Sequence, residues 1–201
     1  MPSPVRITRE DLIEAGVSLI REESRAAFSA RNIAKRLSCS TQPIFSNFSS
    51  MEEFEQAVVD RVFEIYWKRT SESLLRTDIP PYKASGIAYI DFAIEEPNLF
   101  SLLFMRDRKS TDEAEEREIG SIIEIIMKNV GISREEALLF HGEMWVFTHG
   151  IAAMAATGYL RWSREIISLM LTDNYNGLVH VFRERSQNHA DDRTQVTDKK
   201  V

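Results

Sequence analysis

Few residues of this 201-residue chain are spaced for catalysis. His141, Trp145 and His149 recur every fourth residue and so share one helix face. At a rise of roughly 1.5 Å per residue, however, the two imidazoles stand about 12 Å apart and cannot hold one metal ion. No other ligands stand at zinc spacing, and no His-Glu-x-x-His, glycine-rich phosphate loop or nucleophile elbow occurs. The lone Cys39 excludes an internal disulfide and stands beside no paired base. The chain is therefore expected not to be an enzyme, with no catalytic residue, metal or cofactor. The chemistry its residues can do is recognition. Ser40, Thr41, Gln42, Ser46 and Asn47 make a polar, uncharged face, and Arg31, Lys35 and Arg36 precede it. Hydroxyls and amides reach base edges in a duplex groove, while guanidinium and ammonium groups attract phosphate.

The charge distribution assigns such a contact to the N-terminal end. The formal net charge is −6, yet residues 1–50 carry +2 and the rest of the chain −8, a body that repels phosphate. With 43% hydrophobic and 28% charged residues the composition is globular, and eight Gly and six Pro leave room for long helices. A single cysteine is consistent with a reducing compartment, and a cytoplasmic location is expected. The N-terminus reaches Arg9, Glu10 and Asp11 without an apolar segment, so no secretory signal is expected. Met144 to Leu160 carries no charge, but Thr148, His149, Gly150, Thr157 and Gly158 make it a buried helix of a water-soluble fold and not a membrane span.

The elements that must position these residues are helices throughout, about nine of them, in an all-α fold. Leu12, Ile13, Ala15, Gly16, Leu19 and Ile20 recur at helical spacing behind a Thr8/Asp11 cap. Ser29 caps a second helix from Ala30 to about Leu37, Ser38-Cys39-Ser40 turns, and Ser40 caps a third through about Asn47 with Pro43 in its first turn. Ser50 and Glu53 open a long fourth helix to about Leu75. A fifth fits Tyr82 to Glu96, a sixth Pro97 to Met105, and the charged run Arg106 to Glu118 leads into a seventh ending near Gly131. Ser133 and Glu136 open an eighth to about Leu160, and Ser163 a ninth to about Arg185. Residues 186–201 lack apolar periodicity and read as a disordered tail. The expected domains are a helix-turn-helix unit over 1–50, the fourth helix (50–75) as link, and a helical effector-binding and dimerisation domain over 51–185. Two short helices joined by a tight turn, with Ala34 at their crossing and Ile33, Leu37, Ile44 and Phe48 as anchors, are the helix-turn-helix pattern.

The order of residues from Ile33-Ala34-Lys35-Arg36-Leu37-Ser38 through Gln42-Pro43-Ile44-Phe45 to Phe48 and the capped Glu53-Phe54 resembles the N-terminal domain of the tetracycline-repressor (TetR) family of transcription regulators, over residues 8–66. The resemblance implies base-reading roles for Arg31, Thr41 and Gln42 with Pro43 close to the groove, and phosphate contacts from Ser40, Phe45, Asn47 and Met51. Phe45, Asn47 and Met51 stand where the family usually has Tyr, His and Lys, which implies weaker phosphate contact. Ser38 replaces the usual turn Gly, tolerable if it adopts a left-handed conformation. The resemblance further implies a homodimer on a palindromic double-stranded DNA operator, released by a small molecule, with repression as the usual mode. The alternative is a helical ligand-binding or protein-interacting dimer with weakened or lost operator binding.

Trp145-x-x-x-His149-Gly150, after Pro97-Asn98-Leu99-Phe100-x-x-x-Phe104-Met105, is similar to the Trp-His-Gly signature of one C-terminal subgroup of that family. Phe92, Phe100, Phe104, Met105, Met144, Trp145, Thr148 and His149 are candidates to line a cavity for an apolar or aromatic effector. For Trp145 and His149, a core Trp with a His hydrogen-bonded inside the core is the expectation preferred over direct ligand contact. Gly150, Ala153 and Thr157 on the eighth helix, with Met170, Gly177, Leu178 and Val181 on the ninth, are the candidate dimer interface.

Overall fold

The computed structural model describes the backbone of residues 7–106 and 113–198 and the side chains of 7–106 and 119–187. Among the described residues there are nine α-helices, one short 3-10 turn and no strand. Helix α1 (Arg9–Glu23) starts on a reciprocal cap. The Asp11 amide donates to Thr8 Oγ1 (3.1 Å) while the Thr8 amide donates to Asp11 Oδ2 (2.8 Å). The 3-10 turn Arg25–Ala27 leads to α2 (Ala30–Arg36), where Ser29 Oγ accepts from the Asn32 amide. Then come α3 (Gln42–Asn47) and the long α4 (Met51–Leu74). Ser50 Oγ caps α4 by accepting from the Glu53 amide. The Glu53 carboxylate reaches one residue further back than the expected box, to the amide and hydroxyl of Ser49.

Helices α5 (Pro81–Glu95), α6 (Pro97–Phe104), α7 (Glu113–Val130), α8 (Arg134–Ala156) and α9 (Arg164–Asp198) complete the chain. Pro81 and Pro97 each occupy a first turn, where the missing N–H has no intrahelical partner to lose. Helix α8 stops four residues short of the expected Leu160, because Gly158 takes a φ of +70° just past the Thr157 cap and turns the chain away. Helix α9 continues to Asp198, through much of the segment read as a tail. No Gly or Pro follows Gly177, and extending an existing helix is far easier than starting one. Part of the charged run after Arg106 lies outside the described residues, as do residues 1–6 of the N-terminal reading.

The core forms three aromatic groups. In the N-terminal head, Phe54 of α4 packs between Phe28 and Phe48 at ring separations of 5.1 and 4.5 Å. In the middle, Tyr66 of α4 meets Tyr89, Phe92 and Phe104 edge-on. At the far end, Phe140 packs on Tyr82, Tyr175 and Phe182. Helix α4 enters both of the first two groups and so joins the head to the larger domain. Among the described residues no helix is long and apolar enough to cross a membrane. The uncharged stretch beginning at Met144 falls largely in α8, with Met144, Thr148, Ile151 and Ala152 buried.

Candidate nucleic-acid interface and effector cavity

The head presents α3 on a turn whose geometry follows from one left-handed residue and two backbone hydrogen bonds. Leu37 ends α2, Ser38 takes a φ of 51°, and the amides of Cys39 and Ser38 return to the carbonyls of Ala34 (2.9 Å) and Lys35 (3.2 Å). This double closure satisfies carbonyls left over at the helix end and requires one left-handed residue, which here is Ser38. Ile33, Ala34, Ile44 and Phe48 are buried and Leu37 is half-buried, so the expected anchors do hold the two helices. The start of α3 differs from expectation. Thr41, in a helical conformation of its own, precedes the first helical residue, Gln42, and no side chain caps the helix. Pro43 therefore lies at the second position. The reason is local: the Ile44 amide closes a tight turn onto the Thr41 carbonyl (3.1 Å).

The outward face of the head carries Ser40, Thr41, Gln42, Phe45 and Ser46, all exposed, with Pro43 and Asn47 half-buried beside them. Phe45 is 56% exposed, a large ring with no cover. Ser46 Oγ donates to the Gln42 carbonyl (2.9 Å) and Asn47 Nδ2 to the Pro43 carbonyl (2.8 Å), so the Ser46 hydroxyl proton and one of the two Asn47 N–H groups are turned inward. Arg31 and Lys35 are exposed and in no ion pair among the described residues. Arg36 is different. Its guanidinium pairs with Glu22 and donates to Ser18 Oγ (2.6 Å), which ties α2 to α1 and neutralises the charge expected to attract phosphate. Met51 is half-buried against the core at the start of α4, where Glu52 and Glu53 follow it. Hydrogen bonds from Ser49 hold the Glu53 carboxyl below its ordinary range, so this edge is anionic.

In the larger domain a cavity of about 880 Å³ lies among α4 to α9. Of the eight candidates for its lining, Phe104, Met144, Trp145 and Thr148 border it and four do not. Phe92 is fully buried against Tyr66, and Phe100 is buried between Tyr89 and Phe104. Met105, the residue that ends α6, is 46% exposed. His149 lies behind the wall, where its Nδ1 meets Tyr89 Oη at 2.9 Å and its ring stacks between Trp145 and Phe100. His149 thus makes the internal hydrogen bond expected of it. Trp145 does not join the core, being 41% exposed and part of the cavity wall.

The residues missed by sequence reasoning are mainly on α5: Tyr82, Lys83, Ser85, Gly86 and Tyr89, with Tyr66 and Thr70 from α4 and Tyr175 from α9. The spacing of Tyr82, Ser85, Gly86 and Tyr89 on one face of α5, large residues flanking small ones, is the signal that could have found them. His141, noted for its spacing, does line the cavity, and its Nδ1 meets Tyr82 Oη at 3.1 Å. Burial lowers the pKa of both His141 and His149 and raises that of the Tyr82 phenol, so these groups are neutral at physiological pH. Two Tyr–His pairs, about two turns apart, thus bridge α5 to α8. Among the described residues no group of three His, Cys, Asp or Glu could hold a metal ion.

One outer face of α8 and α9 has no neighbour among the described residues. Val146 is 66% and Leu169 60% exposed, and Leu139 and Ile166 are exposed beside them. A Cβ built on Gly142, Gly150 or Gly177 would meet nothing within 4 Å. Of the candidate interface residues, Thr157, Gly177 and Val181 are exposed, and Gly150 and Ala153 are partly exposed. Met170 and Leu178 face the other way, packed partly against the core.

Residues 82–172, from the first turn of α5 into α9, match the family model described as tetracyclin repressor-like, C-terminal domain. No curated protein matches the chain.

Proposed function

Since residues 82–172 match a tetracyclin repressor-like C-terminal domain, we propose that the chain is a TetR-family, ligand-responsive, DNA-binding transcriptional regulator. In this reading a homodimer sets the two copies of α3 into successive major grooves of a palindromic operator, with half-site centres about 10–10.5 bp or a multiple apart. Arg31, Thr41 and Gln42 read bases, Lys35 and the Ser40 hydroxyl meet phosphate, and the cavity takes an apolar or aromatic effector. The ligand releases DNA by preferring a dimer whose heads are wrongly spaced, since a ligand with equal affinity for both forms shifts nothing. Repression is the expected sign, and action on an operator requires a cytoplasmic location. The observation that carries the reading is the solvent-facing array on the head, two cations in no ion pair among the described residues beside exposed Thr41, Gln42 and Phe45, joined through α4 to a domain of the matched family.

The unpaired apolar face of α8 and α9 supports dimerisation, with Gly150 and Gly177 leaving room for close approach of a second copy. A second reading, a ligand-binding or protein-interacting dimer with weak operator binding, draws on specific features. Arg36 is spent on Glu22, and Glu52 and Glu53 crowd the position where phosphate contact is implied for Met51. Selection of bound sequences from random duplex DNA, at two salt concentrations, separates the two. A two-fold symmetric motif with affinity falling as salt rises is the expected outcome. No enrichment at low salt overturns operator binding and leaves the second reading.

A further inference from the structure

The lining of the cavity has a one-sided charge. Among the described residues that border it, Lys83 is the only ionised side chain, and no described Asp, Glu or Arg contributes. Its Nζ donates to Thr172 Oγ1 at 2.7 Å, and that hydroxyl is already oriented by its own bond to the Ser168 carbonyl (2.9 Å). An ammonium has three N–H donors. One is used here, and among the described residues Lys83 has no ion pair, so two donors and a full positive charge remain at the wall of a largely apolar space. The carboxylates further along α5 are engaged elsewhere, Asp91 with Arg164 and Glu95 with Arg69 and Arg164, and Asp173, next to Thr172, is exposed and does not line the cavity. Lys83 also sits in the first turn of α5, whose helix dipole adds potential of the same sign.

The remaining polar groups are neutral. Tyr82 is held as a phenol and shares a hydrogen bond with the neutral His141 ring, so neither supplies a negative charge to balance Lys83. Tyr66, Phe104 and Trp145 supply flat apolar walls around them.

We propose that the effector is an amphipathic organic anion, an aromatic or alicyclic body carrying one carboxylate or similar acidic group, which docks on Lys83 beside Thr172. The proposal rests on the reading of this cavity as the effector site. A cationic ligand would meet an uncompensated ammonium, and a neutral one would leave that ammonium without a counter-charge when water is displaced.

Two fluorescent probes of nearly equal shape test it on the full chain: anilinonaphthalene sulfonate, and phenylnaphthylamine, the same ring body without the sulfonate. Each is titrated at one ionic strength into the wild type, Lys83→Met and Lys83→Arg. The expected result is one site per chain and a ratio of sulfonate to amine affinity that falls about tenfold or more in Lys83→Met and is retained in Lys83→Arg. Because the ratio is taken within each variant, amine binding by Lys83→Met shows that its cavity is intact. If Lys83→Met does not fold, Lys83→Gln takes its place. An unchanged ratio, or a fall of equal size in Lys83→Arg, overturns the charge assignment while leaving the cavity a ligand site. Failure of the wild type to bind either probe overturns the cavity reading and the proposal with it.

Discussion

Ser38 holds the turn between α2 and α3 in a conformation that glycine adopts at no steric cost and other residues adopt at roughly 1–2 kcal/mol. Ser38→Gly is therefore expected to stabilise the protein by about 0.5–1 kcal/mol, the strain relieved being partly offset by the entropy of the unfolded glycine. A urea midpoint that rises with an unchanged slope checks it. Gln42 and Arg31 are exposed, with no side-chain hydrogen bond or ion pair among the described residues, and a bidentate contact to a base edge is worth about 1–3 kcal/mol. Gln42→Ala should relax preference at one operator position by that amount, and Arg31→Ala at another, as measured on single-base variants of a selected operator. An unchanged preference at every position removes the assignment. At this scale the sequence was informative where a residue's role depends on its near neighbours. Ile33, Ala34, Ile44 and Phe48 are buried as their spacing requires, and the left-handed Ser38 follows from its position after Leu37. Arg36 was not legible, because its partners Ser18 and Glu22 lie on another helix and only the crossing of α1 with α2 brings them within reach.

Helices pack at distances set by what stands between them. Gly16 of α1 faces Val58 of α4 so closely that a Cβ there would stand 2.6 Å from Val58 Cγ2 and 3.1 Å from the Phe28 ring. Gly16→Ala is thus expected to cost about 1–3 kcal/mol through overpacking, despite alanine's better helix propensity, and thermal unfolding measures it directly. The two Tyr–His bridges make the α5–α8 contact sensitive to acid. Burial lowers the pKa of His141 and His149 below 6.5, so the unfolded chain takes up protons at higher pH than the folded one. Stability from this source is complete above the unfolded value and is lost as pH falls from there toward the folded values. A melting temperature that declines between about pH 7.5 and 5.5, with a smaller decline in His141→Gln, is the expected pattern. Several element starts were legible from a cap or a proline: Thr8, Ser29, Ser133 and Pro97 all sit where their chemistry requires. The start of α3 and the end of α9 were not, since one is set by a backbone turn at Thr41 and the other by helix extension without a stop signal.

The whole molecule leaves an apolar strip on α8 and α9 that a second copy is expected to cover. Val146→Glu places a charge at its centre without touching the cavity lining. Sedimentation should then report a monomer of unchanged helical content, and operator affinity should fall with the loss of paired heads. A variant that remains dimeric would put the interface elsewhere. The cavity was the least legible feature, because its walls come from six helices and its polar pairs join residues far apart in the chain, Tyr82 to His141 and Tyr89 to His149. Helix α4 has a mechanical consequence. At 24 residues it is a rod about 36 Å long, with Phe54 clamped in the head at one end and Tyr66 and Thr70 exposed to the cavity toward the other. In the proposed mechanism it would serve as a lever arm: a tilt of roughly 5° about its cavity end carries its head end about 3 Å, close to the ~3.4 Å step between stacked base pairs and enough to put a head out of register.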